Sequence, residues 1–597
     1  MMLARGSVDW PAHTGQASLA EIEAKPLEHW LRGRTVGEVI DSAAHSFGTA
    51  VAHRYLSSPE AAPLDTRFSD LKTFTDQAAK GFAALASGPV VASVLPALPA
   101  TLPLAFGAMK AGIYMPINPM LSADAIAEMM TQANASVLLW PAEGDIDVLT
   151  ALKQRSDGLT VLSVPAGRAD MVDLFGASAL TDRSIVSSGP GDVAAYVHTG
   201  GTTGLPKIAQ LTHANLAFMA FLAAFGGGMR AADVIPCGMP LYHVGGLVFG
   251  GLAPVAAGAR VVQLGQDGFR DSAMRSAFSA LANREEATIL FAPPTIAVDV
   301  VANTPAQPFK TARHWVSSAA PLPAASYHAF AEHTGLSVKE AWGLTEATLV
   351  LSFTPPYGES RVGSVGPRLP YCDLTVVDPQ TLSVLAVGET GLILGRSPGL
   401  FAGYLGAVDD GFVTTANGER WLNTGDLGFL DADGYLTITG RAKDMILRGG
   451  HNIDPGPIEA GYLAQPQVNA AIAVGKPDAR VGEVPIVFLT ETANSVLDIE
   501  TLRQAANQTI SDPVARPRDI IVLEHMPVTA VGKPDRVALR REAVRFALKT
   551  LLKNARDIDV ETRPGGNIAV RLHPLHDEDA AQVAALGFEI LQESDTV

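Results

Sequence analysis

The chain lacks most of what would place it outside a reducing compartment, in a membrane or on nucleic acid. Two cysteines in 597 residues, Cys237 and Cys372, are too few for a disulfide framework and suit a reducing cytosol. Cations are outnumbered, 44 Lys and Arg against 61 Asp and Glu, and the net charge of −17 argues against a nucleic-acid or anionic-membrane surface. The N-terminus, MMLARGSVDWPAHTGQ, has no apolar core of a signal peptide. Two apolar stretches, 90–119 and 214–263, are broken by Pro and Gly clusters or by Asp233 and His243. Neither offers the ~20 unbroken apolar residues of a membrane span, so both read as buried core. Internal repeats and low-complexity segments are also missing.

What is present is a globular composition, 47% hydrophobic and 18% charged, in a chain too long for one core. Short apolar runs alternate with helix-period segments: VVASVLPALP (90–99), which reads as a buried strand, a helix over 100–112 ended by Gly112, YMPINPM (114–120), which reads as a strand and turn, then SVLLW (136–140), ARVVQL (259–264) and ATILFAPP (287–294). This alternation predicts layered α/β architecture with largely parallel sheets. Between about 360 and 440 the texture changes to short β-like runs with Gly turns, predicting a smaller β-rich subdomain. A charged stretch, GRAKDMILRGG, marks a boundary near 441, and 444–545 reads as a compact α+β unit. The expected division is an extension over 1–34, a large domain over 35–440, a small domain over 441–548 and a tail over 549–597. The tail holds a hairpin, IDVETRPGGNIAVRL, and a helix, with no role assigned.

Five motifs carry chemistry. The first is YVHTGGTTGLPKIAQLTHANL, 196–216, an apolar run, a loop and an apolar helix-like segment. Gly200, Gly201 and Gly204 let backbone N–H groups turn inward on a phosphate chain. Thr199, Thr202 and Thr203 add hydroxyls, and Lys207 adds a charge; without a GK[ST] ending this is no Walker loop. Taken alone it could be a flexible turn. The second, KEAWGLTEAT (339–348), offers Trp342 as a stacking face and Glu346 as an oxygen ligand for Mg²⁺; its plain alternative is a capped helix start. The third, WLNTGDLGFLDADGYLTITGR (421–441), delivers Asp426 into a turn and ends at Arg441; a carboxylate there can accept from ribose hydroxyls, or simply cap the turn. Asp431 and Asp433 read as hairpin loop residues. The fourth, GRAKDMILRGGHNIDPGPIEA (440–460), sets Gly449-Gly450 beside several cations. The fifth, MPVTAVGKPDRVALRRE (526–542), puts Lys533 in a turn, where a lysine is ordinarily a solvated charge.

Their joint order and spacing resemble the adenylate-forming superfamily of acyl-CoA synthetases, peptide-synthetase adenylation domains and luciferases, and specifically AMP-forming acyl-CoA synthetases, over roughly 35–545. TVGEVIDSAAHSF and RFSDLKTFTDQAAKGFAAL resemble that family's first helix and first strand-plus-helix. The resemblance implies a large N-terminal domain binding ATP and a carboxylate, and a small mobile C-terminal domain. It implies that Thr199, Gly200, Gly201, Thr202, Thr203, Gly204, Lys207, Ala320, Trp342, Gly343, Thr345, Asp426, Arg441 and Lys533 surround the nucleotide. Lys533, Glu346 and Lys207 would be catalytic, Glu346 and Thr202 would hold Mg²⁺, and Lys443 would be the hinge. Gly449, Gly450 and His451 would line a channel for CoA. The chain departs from the family at Gly200 (usually Ser), Ile208 (usually Gly), Trp342 (usually Tyr) and Pro457 (usually Glu), while Glu459 is kept.

CGMPLYHVGGLVFGG, 237–251, resembles the family's acyl-pocket segment, with Met239, His243, Val244 and Gly246 facing the substrate and His243 near its carboxylate. By the same resemblance Ala319 and Ala341, within 318–321 and 341–343, would form the opposite wall. No charged side chain occurs in these segments, and none offers an aspartate for a substrate amine. A fatty or aromatic acid is therefore expected, with ATP, Mg²⁺ and CoA. Expected partners are small molecules only, with a homodimer left open, no nucleic acid, no transmembrane segment and a cytoplasmic location. A carrier-protein-loading enzyme and a non-catalytic nucleotide-binding protein remain as alternatives.

Overall fold

Helical and strand periods alternate through the first 350 residues, and the chain winds them into two sheets with helices between. A computed structural model describes residues 10–591 except 156–157, 182–187, 200–205, 319–321, 408–409, 450, 493–497, 511, 529–533, 553, 555–556 and 564–567, and the side chains of 451 and 452. One sheet has six strands in the order Thr160–Val164, Val137–Pro141, Val90–Ser93, Ile113–Pro116, Val193–His198, Ile208–Thr212. All neighbours are parallel except the last pair, which forms a hairpin. The other has eight strands, ordered Ser352–Phe353, Ser337–Trp342, His314–Ser317, Ile289–Phe291, Val234–Cys237, Arg260–Leu264, Val51–Leu56, Leu64–Arg67. Its edge pairs are antiparallel and its interior is parallel.

The apolar stretch 214–263 lies in the core between them. Helix His213–Gly226 is buried on all sides and starts with a capping box in which Thr212 and Asn215 bond each other's backbone. Its uniform apolarity follows from this burial, not from lipid. Among the described residues no helix is long and apolar enough to cross a membrane. Over 90–99 only Val90–Ser93 is strand; Pro96 and Pro99 cannot supply ladder donors, and the chain turns into helix Thr101–Ala111.

Residues 10–34 are not a loose leader. Leu19, Ile22 and Trp30 are buried in the main core, and Glu23 takes the Arg368 guanidinium at 2.9 Å. The β-rich texture becomes an antiparallel sheet of Asp373–Val377, Gly391–Arg396, Arg420–Leu430, Phe412–Thr414 and Leu436–Arg441. After residue 441 a second sheet (His451–Ile453, Ile446–Arg448, Gly482–Glu491, Val468–Asp478, Asp519–Val522) packs its own cores, one around Ile458, Tyr462 and Val487, another around Phe488, Leu539 and Ala543. Helix Arg536–Leu551 has a second apolar side, Val544 and Leu548, which the tail covers. There strands Asp557–Thr562, Ile568–His573 and Glu589–Ile590 and helix Asp577–Ala585 enclose a small core with Val560, Val570 and Val583.

Candidate active site

Two of the motifs end parallel strands of different sheets, the position where open α/β folds bind ligands. Strand Val193–His198 runs into Thr199, whose N–H donates to Lys207 O at 2.8 Å, closing the loop at its base. Gly200, Gly201, Thr202, Thr203 and Gly204 lie outside the described residues. Lys207 is exposed, with its ammonium 4.5 Å from the centre of the Tyr404 ring.

Strand Ser337–Trp342 delivers the second motif. Gly343 is required there, because a Cβ would stand 1.9 Å from Leu349 O. A short 3₁₀ turn, Thr345–Ala347, follows, and Thr348 is held at φ 66° by its hydroxyl bond to Gly399 O at 2.7 Å. The motif is thus a strand end and tight turn, not a helix start. Glu346 Oε1 accepts the Tyr404 hydroxyl at 2.6 Å.

The third motif is a hairpin, Arg420–Leu430 with Leu436–Arg441, and its register sets Asp426 directly opposite Arg441. Asp426 Oδ1 pairs with Arg441 Nε at 2.8 Å, and Oδ2 accepts the Trp342 indole N–H at 2.8 Å. The carboxylate is buried, its side chain 5% exposed, while Arg441 is 46% exposed. Burying a charge is tolerated only when it is paired and hydrogen-bonded, and here both oxygens are engaged. Trp342, Asp426 and Arg441 are therefore joined directly. Glu346 and Lys207 are joined through Tyr404.

Sequence reasoning missed Tyr404 and Glu340. No pattern marks Tyr404, a tyrosine after a glycine in a connection. Glu340 shares a strand face with Trp342, at the two-residue period. It is 7% exposed, burial pushes its carboxyl up to about 7, and its Oε1 has no hydrogen-bond partner. A glutamate two residues before the aromatic was the available signal.

The acyl-pocket segment forms strand Val234–Cys237 and a π-helix, Gly245–Leu252. The π-helix is a wide coil that packs against its surroundings through glycines: a Cβ on Gly246 would meet Pro240 O at 2.1 Å and one on Gly250 the Cys237 sulfur at 2.4 Å. Gly245 is roomier, with His243 Nδ1 at 3.4 Å and the Met239 methyl at 3.8 Å. Val244 is buried, Met239 half-buried, and His243 Nδ1 accepts the Gly245 N–H at 3.3 Å. Tyr242 is buried with an unpartnered hydroxyl and lies 6.4 Å from the His198 ring, nearly parallel to it. Burial lowers His198 to about 4, and its neutral Nε2 accepts the Asn118 N–H at 3.2 Å. Ala341 is half-buried beside Trp342; Ala319 and Ala320 lie outside the described residues.

Lys443 sits in a 3₁₀ turn, Ala442–Asp444, right after Arg441. Arg540 donates to Lys443 O at 2.6 Å and bridges Asp444 at 3.3 Å, tying this turn to helix Arg536–Leu551. Arg536 at the head of that helix pairs with Glu459 at 2.7 Å. Lys533 lies outside the described residues; beyond it, Asp535 caps the helix and donates its N–H to Pro527 O at 2.8 Å. Gly449 has φ 57° and donates to Val481 O at 2.7 Å. Gly450 and the His451 side chain lie outside the described residues.

Residues 46–405 match the AMP-binding enzyme family, and 457–533 match the AMP-binding enzyme C-terminal domain. The chain belongs to the AMP-binding enzyme family. It is an AMP-forming acid–CoA ligase by type. The chain is 30% identical to marinolic acid–CoA ligase of a Pseudoalteromonas species over 91% of this chain and 86% of that protein. It is 31% identical to sulfoacetate–CoA ligase of Cupriavidus necator, over 86% of this chain and the whole of that protein. ATP-bound MatB of Rhodopseudomonas palustris superposes with a TM-score of 0.77 at 25% identity, over 86% of this chain and all of MatB. The fold is also that of o-succinylbenzoate CoA synthetase from Bacillus subtilis, solved with an acyl-adenylate, TM-score 0.71 at 23% identity over 84% of this chain and 97% of that one.

Proposed function

We propose that the chain converts a hydrophobic carboxylic acid, fatty or aromatic, into its CoA thioester in two half-reactions. In the first, the carboxylate oxygen attacks the α-phosphorus of ATP, giving acyl-AMP and pyrophosphate. In the second, the CoA thiol attacks the acyl carbon and AMP leaves. The observation that supports this reading is the junction of Trp342, Asp426 and Arg441, where a hairpin and a remote strand end meet at one buried carboxylate.

Asp426 and Arg441 hold the ribose, and Trp342 gives the purine an aromatic wall. The unpartnered Glu340 Oε1 on the same strand face suits the exocyclic amine of adenine. Loop 199–207 and Lys207 take the β- and γ-phosphates. Among the described residues no three His, Cys, Asp or Glu side chains gather into a metal site. Mg²⁺ commonly takes one carboxylate and fills its sphere with phosphate oxygens and water. Glu346, with Thr202, would hold the ion, which when bound would supply positive charge to the polyphosphate. Lys533 supplies a compact charge where the carboxylate meets the α-phosphate.

The large region 35–440 holds ATP and the acid, and the small domain 441–548 pivots at Lys443. Its second pose removes Lys533 and brings the 449–451 loop to the pantetheine path, so the two half-reactions use one site in turn. The glycine-lined π-helix with Met239, His243 and Val244 receives an uncharged acyl chain. Relatives that are themselves named CoA ligases do not favour carrier-protein loading or a decayed site.

The test is carboxylate-dependent pyrophosphate release from MgATP, with and without CoA, over acetate, octanoate, palmitate, benzoate and cinnamate. CoA-dependent turnover of a hydrophobic acid is expected. Adenylate that forms but ignores CoA would reassign the acceptor, and turnover confined to acetate would remove the hydrophobic pocket.

A further inference from the structure

Tyr404 belongs to none of the motifs read from the sequence, yet the geometry converges on it. Its hydroxyl donates to Glu346 Oε1 at 2.6 Å, and the Lys207 ammonium sits over its ring at 4.5 Å. Its backbone bridges Ala209, Gln210 N–H donates to Gly403 O at 3.0 Å, and Leu405 N–H donates to Ile208 O at 2.8 Å. Residues 402–405 thereby join the strand that begins immediately after Lys207. On the other flank, Phe401 N–H donates to Glu346 O at 2.9 Å. The Phe401 ring meets Tyr404 edge-on at 4.8 Å and stacks on Phe412 at 5.7 Å. Tyr404 is thus tied by backbone to the strand next to Lys207 and, through Phe401, to Glu346.

We propose that Tyr404 is a positioning residue that keeps Glu346 and Lys207 in register and apart for the metal–polyphosphate group; this rests on the adenylating reading above. An ammonium and a carboxylate that both contact one tyrosine attract each other, and the ring stands between them. Such a pair would neutralise both charges that the substrate needs, one for the cation and one for phosphate oxygens. The aromatic face gives the ammonium a cation–π contact that sets no opposite charge beside the phosphate oxygens. The phenol donates to one carboxylate oxygen without adding charge, which orients Glu346 and leaves its other lone pairs free to ligate.

The experiment compares full-length wild type with Tyr404→Phe and Tyr404→Leu. Mn²⁺, a paramagnetic stand-in for Mg²⁺, is titrated into each protein saturated with α,β-methylene-ATP and followed by electron paramagnetic resonance, with no turnover. Tyr404→Phe keeps the ring and loses the hydroxyl bond; Mn²⁺ affinity is expected to fall about 10-fold, the scale of one hydrogen bond to a charged group. Its metal-free nucleotide affinity stays at the wild-type value, and excess Mg²⁺ restores kcat. Tyr404→Leu loses the spacer as well, so metal-free nucleotide affinity falls too. Unchanged Mn²⁺ affinity in Tyr404→Phe overturns the proposal, as does a Tyr404→Leu protein no weaker than Tyr404→Phe or a kcat that Mg²⁺ does not restore. Wild type that turns over acids beside an unaffected Tyr404→Phe sinks this proposal alone. Wild type that takes up no Mn²⁺ with the nucleotide sinks the adenylating reading with it.

Discussion

The two halves of the candidate site are built from opposite materials. The nucleotide side is made of polar side chains that hold one another: Trp342 to Asp426, Asp426 to Arg441, Tyr404 to Glu346. The acyl side is made of side chains left out, with Gly245, Gly246, Gly250 and Gly251 along a π-helix and Val244 and Met239 beside it. In the function proposed, one side would recognise charge at fixed points, where a displaced donor forfeits a hydrogen bond to an ion. The other, in the same reading, would measure volume, and only Gly245 has room for an added methyl, Gly246 and Gly250 being closed by Pro240 O and the Cys237 sulfur. Changes on the first side should cost rate and nucleotide affinity; changes on the second should redistribute substrate preference.

The largest expected effect is Lys533→Ala. Adenylate formation should fall about 10²–10³-fold, the usual loss of one electrostatic donor to a transition state, while thioester formation from supplied acyl-AMP survives. Single-turnover assays of each half-reaction check this. Lys443→Pro should reverse the pattern, adenylating but failing to pass the acyl group on. Either variant impairing both steps equally would erase the division of labour.

Next comes the pH response of Glu340. Its folded pKa is raised to about 7 by burial, above its unfolded value, so the folded state retains a proton that the unfolded state has lost. The stability this contributes is fully present below the unfolded pKa and disappears as pH rises through about 7. The shift corresponds to about 3 kcal/mol. Melting curves of wild type and Glu340→Gln from pH 4 to pH 8 should therefore diverge, with the variant gaining on wild type toward high pH. Parallel curves would mean that burial does not hold the Glu340 carboxyl above its unfolded value.

Asp426→Asn should raise the KM for ATP about 10-fold, since Arg441 loses its ion pair and the ribose a charged acceptor. Initial-rate kinetics at saturating acid would show it; an unchanged KM would detach Asp426 from the nucleotide. The smallest change in energy is Gly245→Val, which has room at His243 and Met239. It should lower kcat/KM for palmitate relative to acetate by roughly 10-fold, the range of one or two methylenes in a pocket, with the KM for ATP unmoved. Equal losses for both acids would place the acyl chain elsewhere.

Much of this was legible because chemistry-bearing residues come in local motifs. Asp426 and Arg441 could be paired on paper, since a hairpin brings its own ends together. Trp342 could be singled out, but its indole bond to Asp426 could not: 84 residues separate them, and only the meeting of two sheets joins them. Tyr404 was invisible for the same reason, as nothing local distinguishes it from any loop tyrosine. The strand expected over 90–99 was too long because apolar run length alone ignores what Pro96 and Pro99 do to a ladder. The extension over 1–34 illustrates the converse: its sequence has no strong periodicity, yet Leu19, Ile22 and Trp30 are core residues.

By itself the sequence determined the α/β alternation, the order of the motifs and the kinds of atoms each brings, because periodicity and glycine placement act over a few residues. Tertiary structure alone decided which atoms share a carboxylate, which ring separates Lys207 from Glu346, and that Glu340 is buried with one carboxyl oxygen unpartnered. Those facts depend on distances between remote segments and on exclusion of water. Both are properties of the packed chain and are written in no single stretch of it.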